Sequence, residues 1–202
     1  MSIRVCFIGD SFVQGIGDPE YRGWVGRVLQ ATGADVTGFN LGIRRDTSED
    51  ILRRCWQEVG ARTMPDADNR LVVSFGSNDM IEEDGKLRVD PARCLANLAS
   101  ILDESGRRGM ATLVVGPPPV IDAGEGHLRH TSALADEMAT LCREHQVPFT
   151  AITRDLADDP SWNMEALSGD GAHPGSSGYQ KLTDIVLAGP WHAWIDSGST
   201  AH

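Results

Sequence analysis

The chain has 202 residues, with 29 Asp and Glu against 18 Lys and Arg, a net charge of −11 and 41% apolar residues. That length is one domain's worth, and it buries a full core without a disulfide or metal staple. The acidity argues against a nucleic-acid partner, whose phosphates require a Lys/Arg footprint, and equally against an anionic membrane surface.

The first apolar run, Ile3–Ile8, is far too short for a signal segment and reads as the strand that opens the fold. No stretch approaches the ~20 apolar residues that span a bilayer. Trp24, Val25, Val28 and Leu29 then form a helical stripe. A second strand is expected over Asp35–Leu41. Ile51, Leu52, Cys55, Trp56 and Val59 follow as a second stripe, with Thr47 or Ser48 as N-cap before acidic Glu49 and Asp50. The third strand is Arg70–Phe75. Cys94, Leu95, Leu98, Ile101 and Leu102 make the next helix, begun by Asp90-Pro91 as cap and first helical residue. A fourth strand, Ala111–Val115, precedes the stripe Leu134, Met138, Leu141 and Cys142. Val147–Ala151 is the fifth strand, and Tyr179, Leu182, Ile185 and Val186 form the final helical stripe after the Gly/Ser-rich Gly175–Gly178.

The strand runs are mostly continuous rather than alternating, the pattern of strands covered on both faces. Strands alternating with helices predict an α/β fold, a parallel sheet with helices on both sides. No repeat or linker interrupts the series. One domain is expected over 1–196, with a loose tail over 197–202. Cys6, Cys55, Cys94 and Cys142 lie scattered in apolar segments without a CxxC pair, so they read as small buried hydrophobes in a cytoplasmic protein.

In such sheets the chemistry gathers at the carboxyl ends of the strands. Those ends are followed by Gly9-Asp10-Ser11, Asn40-Leu41-Gly42 and Gly76-Ser77-Asn78-Asp79, and the loop before the last helix holds Asp170-Gly171-Ala172-His173-Pro174. A serine hydroxyl becomes a nucleophile when a histidine takes its proton and a third group orients that histidine. Ser11, His173 and Asp170 supply those three types. The Asp170–His173 spacing lets one turn bring a carboxylate to one ring nitrogen while the other faces Ser11. Acyl transfer also needs donors aimed at a developing oxyanion. The candidates are the backbone N–H of Ser11, the backbone N–H of Gly42 and the side-chain amide of Asn78. The G-x-S-x-G elbow is absent.

The four blocks, in this order, resemble those of the SGNH/GDSL esterase–lipase family. Tyr21-Arg22-Gly23-Trp24-Val25, Val115-Gly116-Pro117-Pro118-Pro119 and Trp191-His192-Ala193-Trp194 extend the likeness over most of the chain. The resemblance implies a flavodoxin-like three-layer α/β/α sandwich with a central parallel five-stranded sheet. It implies Ser11 as nucleophile, His173 as base, Asp170 as its partner, and an oxyanion hole of Ser11, Gly42 and Asn78, with no metal or cofactor. Two departures stand out. Phe12 occupies a position where the family often has leucine, and Ile43-Arg44-Arg45 replaces small residues after Gly42.

Arg44 and Arg45 either bind an anionic group of the substrate or form a solvated pair beside Asp46, Glu49 and Asp50. Trp162 and Met164 either pack in the core or line an acyl pocket. His127 and His130, without a third ligand, read as surface histidines rather than a metal site. Gly15-Ile16-Gly17 is no dinucleotide loop, and no phosphate loop is present. The expected function is a serine esterase acting on a small-molecule ester, of short-chain or aryl type. An acyltransferase using the same acyl-enzyme and a non-catalytic binding module are the alternatives, and a homo-oligomer is left open. The walls that set specificity fall to loops around Ile43–Asp46, Met80–Asp90 and Val120–His130.

Overall fold

Five apolar runs assemble side by side because each must bury two faces and pair its backbone on the way. The computed structural model describes residues 2–33 and 36–197. Strands β1 (Ile3–Gly9), β2 (Val36–Gly42), β3 (Asp68–Ser74), β6 (Ala111–Val115) and β7 (Phe149–Thr150) form one parallel sheet in the order β2-β1-β3-β6-β7. The start expected for β2, Asp35, lies outside the described residues. β3 begins two residues earlier than its apolar run, since the β1 ladder pairs Ile3 with Asp68. β7 shrinks to two residues at the sheet edge, where Pro148 has no N–H to donate.

The alternation hidden in the continuous runs appears as two cores. Cys6, Ile8, Leu71, Val73 and Val114 face one side and pack on Ile51, Cys55, Leu98 and Met138. These belong to α3 (Ser48–Gly60), α4 (Pro91–Arg107) and α5 (Gly124–Glu144). Val5, Phe7, Val72, Leu113 and Val115 face the other side and pack on Trp24, Val28, Leu182 and Trp191. Those come from α2 (Gly23–Thr32), α8 (Ser176–Ala188) and α9 (Trp191–Asp196). The result is the three-layer α/β/α sandwich. Thr47 caps α3, with Asp50 returning the bond to its backbone, and Asp90 caps α4 ahead of Pro91.

Several short elements escape periodicity. They are α1 (Ser11–Gln14), the hairpin β4 (Glu82–Glu83) with β5 (Lys86–Leu87), α6 (Thr153–Ala157) and α7 (Pro160–Ser168). The hairpin turns on Asp84-Gly85, both with positive φ, as a two-residue primed turn requires. At the opposite end of the sheet, buried Arg70 pairs with Asp68 and donates to the carbonyls of Trp194 and Ser197, tying β3 to the end of α9. Ser197 is therefore held, and the rest of the expected tail, 198–202, lies outside the described residues. Among the described residues no helix is long and apolar enough to cross a membrane.

Candidate active site

The chain leaves β1 toward β2 on one side and returns to β3 on the other, so a crevice opens at the carboxyl end of β1. Ser11 sits there, at the first position of α1. The Asp10 carboxylate caps that helix by accepting from the Phe12 N–H at 2.9 Å, and Gly15, with φ 85°, ends it after one turn. Burial pushes the Asp10 carboxyl up to about 7, helped by the nearby charges of Asp79 and Asp46 and opposed by its bond from Phe12.

Arg54 fastens the ends of two strands. Its guanidinium donates to the carbonyls of Gly9 at 2.8 Å and Leu41 at 2.9 Å, and its Nε to Asp46 at 2.6 Å. Asn78 then donates to the Asp46 carbonyl at 3.0 Å, which fixes its amide and leaves a second hydrogen free for a ligand. Beneath it, buried Asp79 accepts from the Ser48 N–H, and the Ser48 hydroxyl accepts from Asn97 at 2.8 Å. The Asn78 loop is thus pinned to the start of α3 and, through Ser48, to the middle of α4.

The Asp170 turn delivers the imidazole. Asp170 Oδ1 accepts the backbone N–H groups of Ala172 at 3.1 Å and His173 at 3.0 Å, and Oδ2 meets His173 Nδ1 at 2.8 Å. Partial burial opposes ionisation of Asp170, yet these bonds outweigh it and hold the carboxyl down at about 2. Burial lowers the His173 pKa below its ordinary 6.5; Asp170 opposes that and the Arg44 cation adds to it. The ring leans on Phe12 with centroids 4.9 Å apart, so Phe12 packs beneath the loop as a buried support. Gly17, with φ 89°, passes so close that a Cβ there would lie 3.0 Å from the His173 Cβ.

Ser11, Asn78, Asp170 and His173 line a single cavity of about 250 Å³. The structure brings all four together from three loops. His173 Nε2 is buried and has no hydrogen-bond partner among the described residues, so no hydrogen bond joins it to the Ser11 hydroxyl. Such bonds often tighten only when substrate is bound.

Other expected site residues are placed differently. Gly42 does not line the cavity, and its N–H donates to Asn40 Oδ1 at 3.0 Å. Asn40 in turn donates to the Val13 carbonyl at 2.7 Å. A Cβ on Gly42 would fall 2.1 Å from the Gln14 nitrogen. Its role is to let β2 touch α1. Arg45 does line the cavity, and its backbone N–H has no hydrogen-bond partner among the described residues.

Trp162 is fully buried and stacks on Phe12, and Met164 points outward, 65% exposed. Neither lines the cavity, because α7 turns Trp162 and Ala166 inward and leaves Met164 on the opposite side. His127 is not a surface histidine. It is buried with Nε2 2.9 Å from the Ser77 carbonyl, and burial lowers its pKa. Among the described residues no three His, Cys, Asp or Glu side chains are grouped to hold a metal.

The acidic neighbours expected for Arg44 and Arg45 are engaged elsewhere: Asp46 with Arg54, Glu49 with Arg93 and Asp50 with Arg53. Arg44 instead meets Asp170 Oδ2 at 3.1 Å, and Arg45 approaches Glu83 at 3.6 Å. Ile81, Glu83, Arg88 and Val120 also line the wall, with Phe12 and Ala172 beside the catalytic candidates. None of the first four was individually legible in sequence, although the Asp-Gly turn of the hairpin could have marked where Glu83 and Arg88 converge.

The profile of the GDSL-like lipase/acylhydrolase family matches residues 7–181. A lipase/acylhydrolase from Enterococcus faecalis superposes with a TM-score of 0.74 at 21% identity, covering 100% of both chains. The psychrotrophic esterase EstA from Pseudoalteromonas sp., in a structure inhibited by monoethylphosphonate, superposes with a TM-score of 0.73 at 15% identity, covering 96% of this chain and 99% of that one. At such identities the likeness is one of fold. In sequence, the uncharacterized lipoprotein YqeF of Bacillus subtilis (strain 168) is 29% identical over 144 residues, 69% of this chain; the chain spans only 58% of that relative's length. With its sequence blocks carried to one sheet edge and the profile matched from the first strand into the last long helix, the chain belongs to the GDSL-like lipase/acylhydrolase family.

Proposed function

We propose that the protein is a serine esterase that hydrolyses small carboxylic esters through an acyl-enzyme. The observation that carries this reading is the 2.8 Å bond between Asp170 and His173 Nδ1, which leaves Nε2 as a buried, unpartnered base on the cavity that Ser11 also lines. With Nδ1 holding its hydrogen toward the carboxylate, Nε2 is the nitrogen with a free lone pair.

Ser11 Oγ attacks the ester carbonyl carbon as its proton passes to Nε2. The carbonyl oxygen, now an anion, takes hydrogen bonds from the Ser11 N–H and Asn78 Nδ2, and the Arg45 N–H fills the place expected of Gly42. Asp170 stabilises the imidazolium without taking its proton. Collapse breaks the ester C–O bond, and Nε2 returns the proton to the departing alcohol. Water, deprotonated by Nε2, then attacks the acyl-enzyme and releases the acid and free Ser11. Arginine and glutamate side chains around the cavity keep water within reach of the acyl-enzyme, which favours hydrolysis over transfer to another alcohol. The volume suits short-chain or aryl esters.

A fluorophosphonate should label Ser11 covalently, as a phosphonate inhibits the related EstA. Ser11→Ala should lose labelling and lower the kcat for p-nitrophenyl acetate by about a thousandfold or more with an unchanged circular-dichroism spectrum. A variant that kept the parental rate would overturn the assignment.

A further inference from the structure

The chain carries a net charge of −11, yet three arginines, Arg44, Arg45 and Arg88, stand on one cavity wall. The wall's two carboxylates do not balance them. Asp170 Oδ2 is already shared between His173 Nδ1 and Arg44. Glu83 alone faces the other two, 3.6 Å from Arg45 and 3.7 Å from Arg88, both beyond hydrogen-bonding length. With His173 neutral, three cations face two anions, and the surplus is one positive charge.

Arg88 is the better-built of the two unsatisfied groups. Its side chain is only 18% exposed, and among the described residues its one hydrogen bond runs from Nη2 to the Arg45 carbonyl at 3.0 Å. A guanidinium offers five N–H donors in a rigid fork, so most of Arg88's capacity is unused. Arg45 is held at φ 71°, a left-handed conformation that is strained for a residue with a Cβ. An arginine kept in a strained turn, beside a second arginine with spare donors, on the wall of a cavity that also holds a nucleophile, is the arrangement that binds an anion.

We propose that Arg88, with Arg45, forms a subsite for an anionic group of the substrate, a carboxylate or phosphate, so that the preferred esters are small and negatively charged. The inference rests on the esterase reading and narrows it to a substrate class. A net charge of −11 disfavours the approach of anions in general, and the arginine surplus on this wall opposes that beside the nucleophile.

Two matched pairs test it: 4-acetoxybenzoate against its methyl ester, with 4-acetoxyphenyl phosphate as the phosphate arm, and mono-4-nitrophenyl glutarate against 4-nitrophenyl butanoate. The first pair puts the charge on the leaving group and the second on the acyl group. In at least one pair the anionic member should have a kcat/KM about fivefold or more above the neutral one, carried by KM, and the ratio should fall as NaCl is raised to about 0.5 M. Arg88→Gln should bring the ratio to about one, while Arg88→Lys keeps part of it. A merely structural role for Arg88 would lower both members equally and leave the ratio untouched, which would overturn the subsite. So would neutral esters winning in both pairs while fluorophosphonate still labels Ser11. If Ser11 resists labelling and no ester is cleaved, the esterase reading itself falls, and this one with it.

Discussion

His173 is held between opposing influences, and its pH behaviour follows from their balance. Burial lowers its pKa, the Asp170 carboxylate pulls it up, and the Arg44 guanidinium, bound to the same carboxylate oxygen, pushes it down again. On the proposed mechanism only the neutral ring accepts the serine proton, so kcat/KM should rise with pH along a limb centred below the ordinary 6.5. Arg44→Gln removes a cation from beside the imidazolium. The limb should then move to higher pH, because a positive ring is less disfavoured. A pH–rate profile of the two proteins reads that sign directly, and a shift to lower pH would contradict this role for Arg44. On the proposed mechanism Arg44, which also lines the cavity, acts through Asp170 as a positioning residue. The two adjacent arginines meet different carboxylates, Asp170 for Arg44 and Glu83 for Arg45, a division that adjacency alone could not show.

Among the elements, the contact of β2 with α1 matters most for the site. Gly42 leaves no room for a methyl, since the added carbon would press on the Gln14 backbone at 2.1 Å and on the Asp10 carbonyl at 2.7 Å. Backbone cannot swing aside as a side chain can. Gly42→Ala should therefore cost about 1–3 kcal/mol in urea unfolding and also lower kcat, because the helix pushed away carries Ser11. A variant with parental stability would show that β2 and α1 separate freely. Helix α7 contributes differently: Trp162 supports Phe12, and Phe12 supports the His173 ring. Its influence on the site passes through packing, without contact with the cavity.

Over the whole molecule, the four cysteines report how completely one of the two cores closes, the one packed on α3, α4 and α5. Cys6, Cys55, Cys94 and Cys142 are all buried and free, in β1, α3, α4 and α5. Burial raises each thiol, Cys6 to about 11, and Cys55 and Cys142 to about 12. A thiol that is both hidden and protonated reacts slowly with disulfide reagents. The native protein should leave all four unmodified by DTNB at pH 8, whereas guanidinium should release four equivalents at once. Rapid modification of any one in the native state would mean that the sheet–helix core opens locally.

Local chemistry determined much of this protein from the sequence alone. Continuous apolar runs at Ile3–Ile8 and Ala111–Val115 demanded a sheet covered on both faces, and Thr47 and Asp90-Pro91 set where α3 and α4 begin. The Asp170–His173 turn was legible because its bonds close within three residues. The sequence could not show what depends on contacts between distant segments. Gly42 donates to Asn40 rather than to the cavity because α1 lies against it, and Trp162 is buried because Phe12 stacks there. Arg88 reaches the wall only because the Asp84-Gly85 turn folds the hairpin back toward the Arg44–Arg45 loop. Bonds within a turn or a stripe are written in spacing, whereas the direction of an N–H or a guanidinium is set by whichever remote group satisfies it first.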